Sequence, residues 1–122
     1  MVYDTGSDWL AVEGSTCDSC EGDKFDGYRS GRSTSSEESE RNYGSVSLTG
    51  HTYEDLVCVT TDICVKSFEY FLIESQVGVN GYQGLTEPVD GILGMSRDRS
   101  PPGADYEVGP LYVKALRDIY VT

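Results

Sequence analysis

Asp4 is the residue of this sequence best placed to do chemistry, because it opens the tetrapeptide Asp-Thr-Gly-Ser at residues 4–7. Gly6 permits a tight turn and a close approach of substrate to the backbone, and the hydroxyl groups of Thr5 and Ser7 can hydrogen-bond the carboxylate. Cleaving an amide with carboxylates alone needs two of them sharing a proton, since two negative charges a few ångströms apart cannot both persist. The Asp-Thr-Gly string occurs once in the 122 residues, so the sequence supplies half of such a site.

The rest of the sequence predicts the elements that would hold this turn in place. With 38% hydrophobic residues, 14 Gly and few long apolar stretches, the chain can form one small all-β domain. Two short strands are predicted at residues 1–3 and 9–12, on either side of the Asp4 turn. Alternating apolar and polar residues predict antiparallel strands at residues 43–49, 56–59 and 63–74. The polar stretch 30–40 is expected to be an exposed loop. One helix is expected to start at Pro110 and to present one apolar face, formed by Tyr112, Leu116 and Ile119.

The strong negative charge of the chain excludes two classes of partner. Nine Lys and Arg residues against 21 Asp and Glu residues give a net charge of -12 and a pI near 4.2. Such a chain repels the phosphate backbone of nucleic acids and anionic membrane surfaces. Protonation in an acidic compartment would relieve the self-repulsion of the folded state, so tolerance of acid is expected.

The four cysteines fall into two pairs that are close in sequence, Cys17 with Cys20 and Cys58 with Cys64. Local pairing into two disulfides is favoured. The second bond would join two strands of a hairpin and is expected to matter more for stability than the first, which would clip an exposed turn. The first spacing also fits a redox motif or half a zinc site, but the second pair lacks it and His51 is the only histidine. Structural disulfides predict an oxidising compartment. The sequence contains no apolar run long enough for a signal peptide or a membrane span.

Three motifs occur in the order that one enzyme family shows. Residues 2–7 read V-Y-D-T-G-S, residues 42–50 read N-Y-G-S-V-S-L-T-G, and residues 89–95 read V-D-G-I-L-G-M. Together they resemble the amino-terminal lobe of a pepsin-like aspartic endopeptidase, the family of pepsin and cathepsin D. The resemblance implies an all-β lobe of antiparallel sheets with a flap hairpin and one short helix near its end. Residues 1–122 are therefore expected to be a partial lobe, without the true beginning of the protein and without its carboxyl-terminal lobe.

The resemblance assigns residues 42–50 to the flap, the hairpin that closes over bound substrate. Tyr43 would lie near its tip and Gly44 would make it flexible, so Tyr43, Gly44 and Ser45 are expected to contact substrate. Val46 stands where the family often has a second glycine, which predicts a stiffer flap.

The flap tyrosine of the family is hydrogen-bonded by a tryptophan, and an ungapped comparison puts Ala11 at that position. Trp9 lies two residues earlier, and residues two apart share one face of a strand. Trp9 is therefore a candidate partner for Tyr43, and packing in the core is an equally good interpretation.

The third motif implies a strand that crosses beneath the catalytic turn. Asp90 in this motif is expected to be structural and not a second catalytic acid. Val89 and Ile92 are expected to help line a substrate pocket, with core packing as a nearly equal alternative.

The function implied is hydrolysis of internal peptide bonds by a water molecule held between Asp4 and a second aspartate outside this chain. Its substrates would be extended peptides or proteins with apolar side chains beside the cleaved bond, and no metal or organic cofactor is implied. The chain alone is expected to be inactive. The disulfides and the family place the whole protein in the secretory pathway, secreted or in a lysosome or vacuole.

Two other functions remain open at this point. A retropepsin-like homodimer would bring two copies of Asp4 together on a two-fold axis, although the cysteine pairs and the V-D-G-I-L-G-M motif fit the two-lobed family better. A non-catalytic peptide-binding relative would keep the cleft and lose the chemistry in the lobe that is not seen here.

Overall fold

Seven strands and one helix form in the residues that the computed structural model describes, which are 1–20, 32–35, 37–85, 90–96 and 109–120. The strands are β1 Val2–Asp4, β2 Leu10–Glu13, β3 Arg32–Ser33, β4 Ser39–Asn42, β5 Val46–Cys58, β6 Cys64–Gly78 and β7 Gly91–Gly94, and the helix is α1 Tyr112–Tyr120. The all-β class expected from the sequence is confirmed.

The strands form one mixed sheet in the order β1-β7-β2-β6-β5-β3, with β4 also paired to β5. β1 pairs with β7 in parallel and β2 pairs with β6 in parallel, whereas the other pairs are antiparallel. Antiparallel pairing throughout was the expectation, and these two pairs depart from it. Each joins strands far apart in sequence, and only such long connections can bring two strands side by side in the same direction.

The hairpin of β5 and β6 is the longest element of the sheet, with strands of 13 and 15 residues. Two separate strands were expected where β5 runs without a break. Its pairing with β6 shifts register between Thr49 and Gly50 and again between Asp55 and Val57. In both irregularities the extra residue lies on β6. The pattern of β5 looks interrupted for another reason, since residues 50–55 read Gly-His-Thr-Tyr-Glu-Asp and lack the apolar alternation of a half-buried strand.

The stretch 30–40 was expected to be a loop, and its described residues include β3 and the start of β4. Both strands are polar, and both pair with β5 in the antiparallel sense. The Arg32 side chain also donates to Glu54 Oε1 on β5 at 2.8 Å. The prediction was wrong because these residues become strands by pairing with β5, whose paired residues lie 9 to 22 positions later in the chain, and local composition does not reveal such a partner.

Two hydrophobic clusters lie on opposite faces of the sheet, because successive side chains of a strand point to opposite sides. One contains Ala11, Phe71 and Ile73 together with both cysteines of the first pair. The other contains Leu10, Tyr70 and Leu72 together with Tyr112 of α1. The centre of β6 is therefore buried on both faces, and α1 lies against one of them.

Helix α1 packs on β6 through its first turns. It begins two residues after Pro110; its Tyr112 ring meets the Phe68 ring edge-on at 5.2 Å, and its hydroxyl group donates to the Val57 carbonyl at 2.7 Å. Ile119 was expected on the packed face but is 50% exposed. The last turn of the helix lies beside the exposed end of the β5–β6 hairpin, where little is available to cover it.

Within the described ranges, no helix has the length and apolar character to cross a membrane.

Candidate active site

Asp4 ends β1 and starts the turn that the sequence singled out. The Gly6 amide donates to Asp4 Oδ1 at 3.0 Å, so the carboxylate is held by the backbone of its own turn. The side chain is only partly buried, which leaves it open to water and to a second reacting group. A carboxylate that is oriented and still accessible has the properties of a general acid or base.

Strand β7 holds this turn through backbone hydrogen bonds. Gly94 pairs with Asp4 in the parallel register, the Met95 amide donates to the Asp4 carbonyl at 2.7 Å, and the Ser96 amide donates to the Ser7 carbonyl at 3.0 Å. A Cβ atom on Gly94 would lie 2.2 Å from the Asp8 carbonyl oxygen, so only glycine fits where β7 passes under the turn. The turn keeps its shape because a distant strand holds it from one side.

The hydroxyl groups of the motif are placed differently from the sequence expectation. Thr5 is exposed, and Ser7 Oγ is buried without a hydrogen-bond partner among the described residues. Neither makes the expected bond to Asp4 there, and the Gly6 amide, which the sequence analysis did not consider, makes one instead. A signal for this bond was available, because an aspartate commonly accepts a hydrogen bond from the amide two residues later in a turn.

Asp90 cannot share a proton with Asp4. It precedes β7, whose Gly94 is the register partner of Asp4. Four residues of strand separate Asp90 from that position, which corresponds to roughly 13 Å. A second carboxylate for Asp4 therefore does not come from this motif.

The expected flap is the hairpin of β4 and β5. Asn42 pairs with Ser47, the Tyr43 amide donates to the Val46 carbonyl at 2.8 Å, and the turn lies at residues 43–45. Val46 is 1% exposed and belongs to the core, which fixes the hairpin at the point where the family often has glycine.

A second contact holds the tip of this hairpin from the side. The Val79 amide donates to the Ser45 carbonyl at 3.1 Å, and Asn80 Nδ2 donates to the Gly44 carbonyl at 3.0 Å. Asn80 adopts φ of 55° to reach this position, a left-handed conformation that asparagine tolerates. The tip is therefore tied to the turn that follows β6, as the stiffer flap predicted from Val46 would require.

The negative charges of the Asp4 turn act on the phenol of Tyr43. Burial raises the pKa of its phenol to about 12, the charges of Asp8 and Asp4 add to the increase, and the charge of Arg41 opposes it. Its ring packs against the same core cluster as Trp9. The phenol is consequently neutral, and a hydrogen-bond donor, at every pH at which carboxylates titrate.

Arg41 is a residue that the sequence analysis missed. Its guanidinium lies 4.5 Å from the centre of the Trp9 ring and 4.9 Å from that of Phe71. Trp9 thus packs on the core beneath a cation, in line with the core-packing interpretation. A signal was available, because Arg41 lies two residues before Tyr43, and that spacing puts both on one face of an extended chain.

Asp8 was missed as well, and no sequence signal could have found it. Its Oδ2 accepts a hydrogen bond from the Gly109 amide at 2.5 Å, and the next residue, Trp9, donates its amide to the Pro110 carbonyl at 3.2 Å. These bonds join the Asp4 turn to the segment that leads into α1, about a hundred residues later. Trp9 adopts φ of 63° at this junction.

The two residues expected to line a pocket have different outcomes. Ile92 is 5% exposed, lies in the core cluster and pairs with Ala11, so it packs beneath the site. Val89 lies outside the described residues. Ala11 is fully buried in the same cluster.

Both local disulfides form, Cys17 with Cys20 and Cys58 with Cys64. Cys58 and Cys64 are register partners on β5 and β6, as expected of a bond across a hairpin. The first bond does not clip an exposed turn, because Cys17 is 0% and Cys20 is 6% exposed. Ser19 lies between them, and its Oγ accepts a hydrogen bond from the Gln76 amide at 2.9 Å, which docks the loop on β6.

Over the residues with described positions, no group of three or more His, Cys, Asp or Glu is arranged to hold a metal ion.

A comparison with protein families matches this geometry to one of them. The model of the family described as eukaryotic aspartyl protease matches residues 1–111, which include the Asp4 turn, the flap hairpin and β7. No curated protein matches the chain.

Proposed function

Because this chain belongs to the eukaryotic aspartyl protease family, we propose that it supplies the amino-terminal half of an aspartic-type endopeptidase in which Asp4 is one of two catalytic carboxylates. The observation that carries the proposal is the position of Asp4. It lies on a turn that β7 braces from below, with its carboxylate oriented by the Gly6 amide and still partly exposed.

The chemistry follows from two carboxylates sharing one proton. The ionised one takes a proton from a water molecule, which attacks the carbonyl carbon of the scissile peptide bond, while the protonated one donates a hydrogen bond to the carbonyl oxygen. The Gly6 amide holds Oδ1 of Asp4 in position by donating a hydrogen bond to it. The partner aspartate comes from outside this chain.

The β4–β5 hairpin acts as the flap over an extended peptide. Tyr43, Gly44 and Ser45 form its turn, and we assign these three to substrate contact. The neutral Tyr43 phenol donates a hydrogen bond without adding charge next to the carboxylates. Val89 is retained as a pocket-lining residue, whereas Ile92 contributes by packing under the turn.

We expect the purified chain alone to be inactive, because the chain provides one carboxylate where the mechanism needs two. A quenched-fluorescence peptide assay from acidic to neutral pH tests this on the chain alone and on the chain extended by its second lobe. We expect pepstatin-sensitive turnover from the extended protein only. Turnover by the chain alone would contradict the two-lobed assembly, and sedimentation would then show whether a homodimer is the active species.

The same proposal places the protein in the secretory pathway, secreted or in a lysosome or vacuole. Two disulfides within one small domain support an oxidising compartment. Immunolocalisation of the natural protein tests this assignment, and a cytosolic signal would contradict it.

A further inference from the structure

Arg41 places a positive charge between the two elements of the proposed site. It belongs to β4, two residues before Tyr43 of the flap turn, and its guanidinium lies over the ring of Trp9, two residues after Ser7 of the Asp4 turn. A chain with a net charge of -12 has few cations to place, which makes a half-buried one beside the site notable.

The charge of Arg41 has no carboxylate partner in the part of the chain that the structure describes. The ion pairs found there involve the amino terminus, Arg32, His51, Lys114 and Arg117. The hydrogen bonds that Arg41 donates to described residues both leave from Nη1, to Ser39 Oγ at 3.4 Å and to the Glu40 carbonyl at 3.0 Å. Its Nε is buried and has no acceptor among the residues with described positions. Two aromatic rings hold the guanidinium, and neither neutralises it.

The position of Arg41 also leaves Asp4 free for its proposed role. Within the described residues, Arg41 makes no ion pair with Asp4 at 4 Å or less. It is nevertheless close enough to Tyr43 to oppose the increase in the pKa of that phenol. The cation therefore lies beside the flap turn without occupying the carboxylate of Asp4.

We propose that Arg41 is a specificity-determining residue that binds the carboxylate of an Asp or Glu side chain of the peptide substrate next to the scissile bond. A guanidinium presents a planar fork of N–H groups that matches a carboxylate, and an aromatic platform holds that fork in a fixed orientation. The inference rests on the proposed function, and it replaces a purely apolar preference with one that includes an acidic side chain.

Binding of paired peptides tests this separately from catalysis. The protein is the complete two-lobed enzyme that carries this chain, with Asp4→Asn so that bound peptides are not cleaved. The probes are two extended peptides that differ only in Glu or Gln beside the central bond, and calorimetry at pH 6 measures both affinities. We expect the Glu peptide to bind at least roughly tenfold more tightly, because a charge-assisted hydrogen bond replaces a neutral one.

Variants of Arg41 then assign that preference. Arg41→Met and Arg41→Gln should bind the two peptides equally, and Arg41→Lys should keep part of the preference through its charge. Equal affinities in the protein with native Arg41, or a preference that survives in Arg41→Met, would overturn the inference.

A pH series tests the same preference in the protein with native Arg41, so its result does not depend on whether an Arg41 variant folds. The preference for Glu should disappear as the pH falls below the pKa of a glutamate side chain, about 4.3. A preference that persists at pH 3 would reflect shape and not charge, and would also overturn the inference. Failure of the proposed function would appear elsewhere, as wild-type turnover that Asp4→Asn does not remove.

Discussion

The amide nitrogen of Met95 donates a hydrogen bond to the carbonyl oxygen of Asp4 over 2.7 Å. This bond extends the parallel pairing of β1 with β7 by one residue beyond the last register pair, Asp4 with Gly94. The proposed catalytic residue is thus fixed through its own backbone by a strand about ninety residues later in the chain. The geometry of the site depends on how closely β7 can pass beneath the turn.

Gly94→Ala should destabilise the protein because its new Cβ atom would lie 2.2 Å from the Asp8 carbonyl oxygen and 2.6 Å from that of Ser7. Neither atom can move without displacing the turn, so we expect a loss of roughly 1–3 kcal/mol or more in the free energy of unfolding. Gly44→Ala is the matched control, since a Cβ there meets nothing within 4 Å. Urea unfolding of both variants is the measurement, and equal effects would contradict the close passage of β7.

The two disulfides should differ in accessibility and in their contribution to stability. Cys17 and Cys20 lie in the core, whereas Cys58 is exposed. Mild reduction followed by alkylation and peptide mapping should therefore label Cys58 and Cys64 first. Both bonds close short loops, so the entropic contribution of each falls below the ~3 kcal/mol of a 15-residue loop.

Replacing both cysteines of a pair by alanine tests the burial directly. The variant that lacks Cys17 and Cys20 should lose more stability, by about 1 kcal/mol or more, because it also leaves a cavity in the core. This reverses the order suggested by the sequence, in which the hairpin bond matters more. Equal losses from the two double variants in urea unfolding would speak against a buried first disulfide.

Ionisation of Tyr43 should lower the free energy of unfolding of the protein at alkaline pH. Its pKa is raised to about 12 by burial first and then by Asp8 and Asp4, so the folded state holds this proton more tightly than the unfolded state. The resulting stabilisation is complete below the ordinary tyrosine pKa of 10.0 and is lost as the pH rises from there toward 12. Tyr43→Phe should therefore lose less stability over that window than the parent protein.

Urea unfolding at several pH values between 9 and 11.5 measures the effect. Tyr70 and Tyr112 also have a raised pKa because of burial, so part of the alkaline loss should remain in Tyr43→Phe. An unchanged slope would show that Tyr43 is not buried beside the carboxylates.

The features predicted from the sequence are those fixed by local residue type. The Asp4 turn, the turn at Tyr43 and both cysteine pairings are encoded within a few neighbouring residues. The features missed depend on partners distant in sequence. β3 becomes a strand only because β5 lies beside it, and the buried position of Cys17 depends on the docking of its loop on β6.

The same distinction applies within the site. The role of Asp8 depends on the Gly109 amide, which lies 101 residues away, and the position of Arg41 depends on the ring of Trp9. Composition carries no information about such pairs, and the period of two indicates only that Arg41 and Tyr43 share one face of an extended chain. The family motifs placed the Asp4 turn, and they did not indicate the cation of Arg41.

The assignment of Asp4 depends above all on the turnover of Asp4→Asn in the complete two-lobed protein, with Asp90→Asn as the control. The exchange removes the shared proton and changes the shape of the side chain little, so we expect a loss of roughly 10²–10⁴-fold in kcat with unchanged unfolding. Asp90→Asn should keep the parent kcat, because Asp90 lies at the far end of β7 from the partner of Asp4. Wild-type turnover in Asp4→Asn, or an equal loss in Asp90→Asn, would contradict the assignment of Asp4 as the catalytic carboxylate of this chain.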